Sequence, residues 1–188
     1  HDSYISTLEK NVEEAEIYHQ TNETLCRYLA YRDVPGLIKK YVRGTKALDY
    51  GCGTGISTRF LTDNGFDVDG VDVSRAMIDQ ASAFSPCTQF SLIENGQAPF
   101  LSQTFDFIFS SFVLFEIPSS KEMVIYLKEA ARLLKKDGAC IIITGSEHMY
   151  QRDFLAMHTD YAENRGASSG DKVKIYLPDV DIEFTLSL

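Results

Sequence analysis

Three glycines recur at every second position in Asp49-Tyr50-Gly51-Cys52-Gly53-Thr54-Gly55, directly after the apolar pair Ala47-Leu48. This spacing leaves the backbone bare, so a ligand can approach the turn closely and a following helix can pack tightly. A dinucleotide fingerprint would read G-x-G-x-x-G. Counted from Gly51, the sixth position is Ile56, because the third glycine arrives one residue early, at Gly55. An acid, Asp49, stands two residues before the first glycine. A carboxylate there repels a pyrophosphate and suits a ligand with positive charge, such as an ammonium or a sulfonium.

Three further polar points follow along the chain. Asp72 closes the run Gly70-Val71-Asp72, about 20 residues beyond the first glycine, where a strand-end acid can accept both ribose hydroxyls. Glu94 and Asn95 stand where a third strand should end. Glu94 can accept an adenine amino group, and the backbone N–H of Asn95 can reach a ring nitrogen. Ser110 and Ser111 close the bulky run Phe105-Asp106-Phe107-Ile108-Phe109, so the reactive part of a ligand has room beside them. S-adenosylmethionine carries adenine, ribose, ammonium and sulfonium together.

These points need elements to hold them. Residues 3–30 and 33–43 carry helical patterns, with Pro35 in the first turn of the second, where a missing N–H costs nothing. Ala47 to Tyr50, Phe66 to Asp72, Gln89 to Ile93, Phe105 to Ser110 and Ala139 to Thr144 read as strands. Ser57 to Leu61, Ser74 to Ala83 and Lys121 to Lys136 read as helices, with Ser74 as an N-cap. Val124, Leu127, Ala131 and Leu134 mark the apolar stripe of the last helix, and Asp137-Gly138 its end. Strands alternating with helices imply an α/β domain with a mostly parallel sheet covered on both faces. Ligands of such sheets lie at the strands' carboxyl ends, near the reversal of strand order. The polar points above all fall there.

The chain has 188 residues, 44% hydrophobic and 24% charged, with a formal net charge of −9. That length fits one domain with a sizeable core. An acidic surface disfavours nucleic acid or anionic membrane as a partner. Cys26, Cys52, Cys87 and Cys140 form no C-x-x-C pair, so reduced structural thiols and no bound metal are expected. With no membrane-length apolar run and no signal-peptide core, a cytoplasmic location is expected.

As a set, Ala47 to Gly55, Gly70 to Ser74, Ala98-Pro99-Phe100, Phe105-Asp106 and Leu133 to Gly138 resemble the class I S-adenosylmethionine-dependent methyltransferases. The subgroup containing the ubiquinone and menaquinone C-methyltransferases is most similar. The resemblance covers residues 45–145. It implies a Rossmann-like, doubly wound sheet with an N-terminal helical cap over residues 1–44. Residues 146–188 would then be an acceptor-side segment. The implied cofactor is S-adenosylmethionine, leaving as S-adenosylhomocysteine, and the implied partner is a small-molecule methyl acceptor. Gly51 and Gly53 would line the methionine portion, with Asp49 nearby. Asp72 would hold the ribose, Glu94 and Asn95 the adenine, and Ser111 the region near the sulfonium. Arg32, with Arg27 behind it, would meet the cofactor carboxylate from the cap.

The chain departs from the family in two places. Phe115-Glu116 stands where relatives often carry histidines, so Glu116 either faces the acceptor or starts a helix. Lys172 to Leu177 and Asp181 to Leu186 read as a hairpin that either completes the sheet or leaves its last strands absent, with an edge open to dimerisation. The stretch from Ser146 to Gly170 reads either as a helix with a loop or as a lid over a small acceptor. Methyl transfer needs position and dryness more than acid or base, so no catalytic residue is assigned; Glu116, His148 and Tyr150 are the nearest candidates. A nicotinamide oxidoreductase and a catalytically idle cofactor binder are the competing classes.

Overall fold

A computed structural model describes residues 30–146, 153, 158–168, 171–178 and 182–187. Arg27, His148, Tyr150, Cys26 and the helical reading of residues 3–29 lie outside the described residues.

Five strands build the main sheet: β1 (Lys46–Tyr50), β2 (Asp67–Asp72), β3 (Gln89–Leu92), β4 (Phe105–Ser111) and β5 (Leu134–Ile143). Their order is β3-β2-β1-β4-β5, and every neighbouring pair is parallel. The order reverses between β1 and β4, so the crevice lies above that pair. Among the described residues four helices cover the sheet: α1 (Val34–Tyr41), α2 (Ile56–Asp63), α3 (Arg75–Phe84) and α4 (Ser120–Leu133). This is the α/β, doubly wound Rossmann-like fold that the motifs imply.

Side-chain alternation along β1 and β4 separates two cores. Leu48, Tyr50, Val71 and Ile108 pack under Tyr126, Ala130 and Leu133 of α4 on one face. Ala47, Val68, Phe107 and Phe109 pack under Tyr31, Val34 and Leu61 on the other. Each large side chain buried in this way contributes roughly 1.5–3 kcal/mol against leaving it in water. Ser74 caps α3 as expected, accepting from the Met77 N–H at 3.4 Å. Ser119 caps α4 by accepting from the Glu122 N–H at 3.3 Å, and its hydroxyl donates to the Glu122 carboxylate at 2.8 Å.

The structure corrects the reading of α4 in phase and in length. Val124 and Leu127, expected in the core, are 47% and 42% exposed. Tyr126, Glu129, Ala130 and Leu133 are buried instead. Two interactions set this phase. The Tyr126 ring stacks on Tyr50 at 4.3 Å. Glu129 receives Arg132 at 2.6 Å and the Ala98 N–H at 2.9 Å, while Arg132 also donates to the carbonyl of Phe100 at 2.9 Å. The helix ends at Leu133 and the chain enters β5 at once. Asp137-Gly138 therefore lies within β5, at a register shift opposite Phe105 and Phe107. A Cβ on Gly138 would stand 2.7 Å from Leu134 Cδ1 and 3.0 Å from the Asp106 carbonyl, so glycine serves close packing there.

The C-terminal pair is a hairpin of β6 (Lys172–Leu177) and β7 (Ile182–Ser187), antiparallel and in a sheet of its own. It does not extend the five-stranded sheet, whose edges among the described residues are β3 and β5. β7 packs against a 3-10 turn, Leu114–Glu116, just beyond β4. No described helix is long and apolar enough to cross a membrane.

The Glu129–Arg132 pair joins a buried carboxylate to a part-buried guanidinium, and it holds the Ala98–Phe100 loop. Replacing Glu129 by Ala should cost about 2 kcal/mol of unfolding free energy, measured with denaturant at pH 7, because the buried Ala98 N–H loses its acceptor and the part-buried Arg132 its partner. Burial pushes the Glu129 carboxyl up, but Arg132 and the Ala98 N–H outweigh it and hold the group below its usual 4.5. Its contribution is thus present above about pH 4.5 and is lost as the pH falls through the lower folded value. The gap between wild type and variant should narrow as the solution is acidified below that point.

Candidate functional site

The turn off β1 uses left-handed backbone at Gly51, Gly53 and Gly55, with φ of 84°, 51° and 89°. A side chain at Gly51 would be strained by φ alone, and its Cβ would also stand 2.3 Å from Val113 Cγ2. At Gly55 a Cβ would meet Ala81 of α3 at 3.3 Å. The bare backbone at these two positions therefore admits neighbouring protein. The N–H groups of Gly51 and Cys52 both donate to the Val71 carbonyl, at 2.8 and 2.9 Å. This ties the loop to the end of β2.

Asp49 is fully buried on the α2 face of β1. Its Oδ2 accepts the hydroxyls of Ser57 at 2.7 Å and Thr58 at 2.6 Å, in the first turn of α2. A carboxylate there also complements the positive end of the helix dipole. Asp49 thus secures α2 to the glycine loop from beneath. Cys52 is buried beside it, and burial, with Asp72 and Asp49 nearby, pushes its thiol well above the usual range. The thiol stays protonated and inert.

Asp72 sits across the mouth of the loop. Its Oδ2 accepts the Gly53 N–H at 2.8 Å and its Oδ1 the Ser74 N–H at 2.9 Å. The carboxylate is held by two rigid donors, which occupy two of its roughly four accepting positions.

Glu94 and Asn95 lie at the end of β3 in a tight turn. Glu94 and Gln97 exchange backbone hydrogen bonds at 3.0 Å each, and Asn95 and Gly96 both have positive φ, 52° and 75°. That is the type I′ pattern, for which Asn-Gly is the preferred pair. Both Glu94 and Asn95 are exposed on the rim.

Two serines close β4 and point to opposite faces. Ser110 Oγ is 2.6 Å from the Tyr126 hydroxyl, which also donates to the Tyr50 carbonyl at 3.1 Å. Ser111 Oγ accepts the Tyr31 hydroxyl at 2.8 Å. Phe112 follows with φ of 60°, a conformation that bulky residues rarely adopt. It turns Val113 onto Gly51.

The structure thus brings Asp49, Gly51, Gly53, Asp72 and Ser111 together at the carboxyl ends of β1, β2 and β4, with Glu94 and Asn95 at the end of β3. Arg32 is not brought to this group. Its guanidinium is exposed and paired with its neighbour Asp33 at 3.0 Å. Glu116 ends the 3-10 turn beyond β4 and is half-buried. An open groove of about 580 Å³ lined by Ser102, Gln103, Arg132 and Lys135 lies at the opposite, amino ends of β4 and β5. Sequence reasoning missed Tyr31, Tyr126 and Val113. The tyrosines reveal themselves only through partners 80 and 16 residues away.

The donor set suits an adenosyl amino acid. A carboxylate is fixed at the end of β2, a turn stands at the end of the third strand, and the loop carries no side chain at its first and third positions. A methyltransferase-domain family matches residues 48–142. The demethylmenaquinone methyltransferase of Tropheryma whipplei (strain Twist) is 34% identical over 117 residues, 60% of this chain and 46% of that protein. The chain spans about half the length of the curated relatives it matches. Among solved structures, the PH0226 protein of Pyrococcus horikoshii OT3 has a TM-score of 0.66 at 21% identity, covering 91% of this chain and 83% of that one. A TehB-like S-adenosylmethionine-dependent methyltransferase of Corynebacterium glutamicum has a TM-score of 0.55 at 26% identity, covering 70% and 73%. With half of its length matched to the family and its sheet built in the order described, the chain belongs to the methyltransferase-domain family of class I S-adenosylmethionine-dependent methyltransferases, whose cofactor is S-adenosylmethionine.

Proposed function

We propose that the chain transfers a methyl group from S-adenosylmethionine to a small-molecule acceptor by in-line displacement. The observation that carries this reading is the Asp72 carboxylate, fixed by the N–H groups of Gly53 and Ser74 across the mouth of the glycine loop. A group prepaid in this way needs no reorganisation to receive a vicinal diol.

When bound, S-adenosylmethionine supplies a methyl group already activated by its sulfonium leaving group. The chain's residues bind and orient. Asp72 accepts from the two ribose hydroxyls. Glu94 accepts from the adenine amino group, and the Asn95 backbone N–H serves a ring nitrogen. Gly51 and Gly53 line the methionine portion without side chains. The buried Asp49 adds negative potential beneath a cationic ligand, and Ser111 lies near the reacting end.

The small-molecule assignment rests on charge. A chain with a net charge of −9 repels a polyanionic acceptor before any contact forms. The relative from Tropheryma whipplei is named a demethylmenaquinone methyltransferase. β7 packs on the 3-10 turn bearing Glu116, and the acceptor is assigned to that side of the site. A general base is needed only for an acceptor that must lose a proton early, and Glu116 is the candidate for that role.

Calorimetric titration of the chain with S-adenosylmethionine, S-adenosylhomocysteine and NADH tests the reading. Both adenosyl ligands should bind in the micromolar range and NADH should not. Asp72→Ala should weaken the adenosyl ligands about 10- to 100-fold, the loss expected for hydrogen bonds to a charged acceptor. NADH binding, or adenosyl binding that Asp72→Ala leaves unchanged, would overturn the assignment.

A further inference from the structure

Ser111 and Tyr31 stand 80 residues apart in sequence, yet the Tyr31 hydroxyl donates to Ser111 Oγ at 2.8 Å. Both residues are 7% exposed, so the bond is almost shielded from water. The Tyr31 ring is held separately, by Phe60 at 4.7 Å and by the edge of Phe109 at 5.6 Å. Phenylalanine would satisfy those ring contacts equally well. The hydroxyl is an addition that those ring contacts do not require, and it donates to Ser111 Oγ.

What it does to that atom follows from donor counting. A serine hydroxyl has one hydrogen and two lone pairs. By accepting from Tyr31, Ser111 keeps its own hydrogen to donate, and its rotation is fixed. Among the described residues Ser111 donates to no other group. Ser110, one position earlier, differs. It points to the other face and shares its hydrogen bond with Tyr126, inside the core. A hydroxyl that is itself a hydrogen-bond acceptor is also polarised into a better donor.

We infer that Tyr31 is a positioning residue, which acts through Ser111 to aim a hydrogen-bond donor at the amino-acid arm of the ligand. The inference rests on the cofactor reading above and deepens it. Tyr31 belongs to the chain segment that precedes α1, so the same bond registers that segment against the tip of β4. Arg32, next in sequence, turns to Asp33 instead. Among the described residues, the contact between the segment before α1 and the tip of β4 is made by a neutral hydroxyl pair.

The test compares two ligands that share the adenosine half. S-adenosylhomocysteine has the amino-acid arm and adenosine lacks it. Tyr31→Phe, Ser111→Ala and the double variant are titrated with each. Tyr31→Phe should weaken S-adenosylhomocysteine about tenfold and leave adenosine unchanged, since one hydrogen bond to the arm is lost. Ser111→Ala should do the same, and the double variant should bind no more weakly than either single one. Wild-type affinity in Tyr31→Phe would overturn the inference, because ring packing would then suffice. Equal weakening of both ligands would overturn it too, because the hydroxyl would then support the whole pocket. If the wild type fails to bind S-adenosylhomocysteine at all, the cofactor reading itself falls.

Discussion

Three left-handed residues within five, at Gly51, Gly53 and Gly55, are the constraint on which the rest of this structure depends. The chain must leave β1 at the point where strand order reverses, cross the end of β2 and start α2 without delay. Only bare backbone permits that path. Once it is taken, the N–H groups of Gly51 and Cys52 meet the Val71 carbonyl and that of Gly53 meets Asp72. Asp49 then locks the first turn of α2 from below through Ser57 and Thr58. The same two strand ends that close the fold thereby define the site. A side chain at Gly51 would collide with Val113 as well as strain the backbone, so loop and post-β4 turn are fitted to each other.

The tip of β4 is held from both layers. Tyr126 of α4 reaches Ser110 on one face, and Tyr31 reaches Ser111 on the other. Because successive residues of a strand alternate, two adjacent serines suffice to receive both helical layers. Burial pushes the Tyr126 hydroxyl well above its usual range, although its bond with Ser110 acts the other way, so it remains a neutral partner. The strain at Phe112, φ 60°, sits directly after this clamp and directly before the contact with Gly51. Strain at such a place needs rigid surroundings to persist, and the two tyrosines provide them.

The fold was largely legible in the sequence, because alternating strands and helices with right-handed crossovers leave few topologies. Asp49, Gly51, Gly53, Asp72 and Ser111 could be read as a group from their places at strand ends, without any contact being known. The phase of α4 could not. Val124 and Leu127 are apolar and Glu129 is charged, so hydropathy alone puts the wrong face inward. Glu129 is buried only because Arg132 and the Ala98 N–H satisfy it. Arg32 drew attention by its charge, whereas the neighbouring Tyr31 does the bonding, and no local pattern separates the two. Glu94 and Asn95 read only as adenine contacts in the sequence, whereas Asn95-Gly96 forms a type I′ turn. Asp137-Gly138 resembles a helix stop but serves the register shift of β5 against β4.

The central claim is that an adenosyl ligand binds where β1, β2, β3 and β4 end. Amide chemical shifts of the isotope-labelled chain, recorded with and without S-adenosylhomocysteine, test it most directly. The account predicts that the large shifts fall on Gly51 to Gly55, Asp72 to Ser74, Glu94 to Gln97 and Ser110 to Val113. Large shifts confined to Ser102, Gln103 and Lys135, around the groove at the opposite ends of the strands, would contradict it.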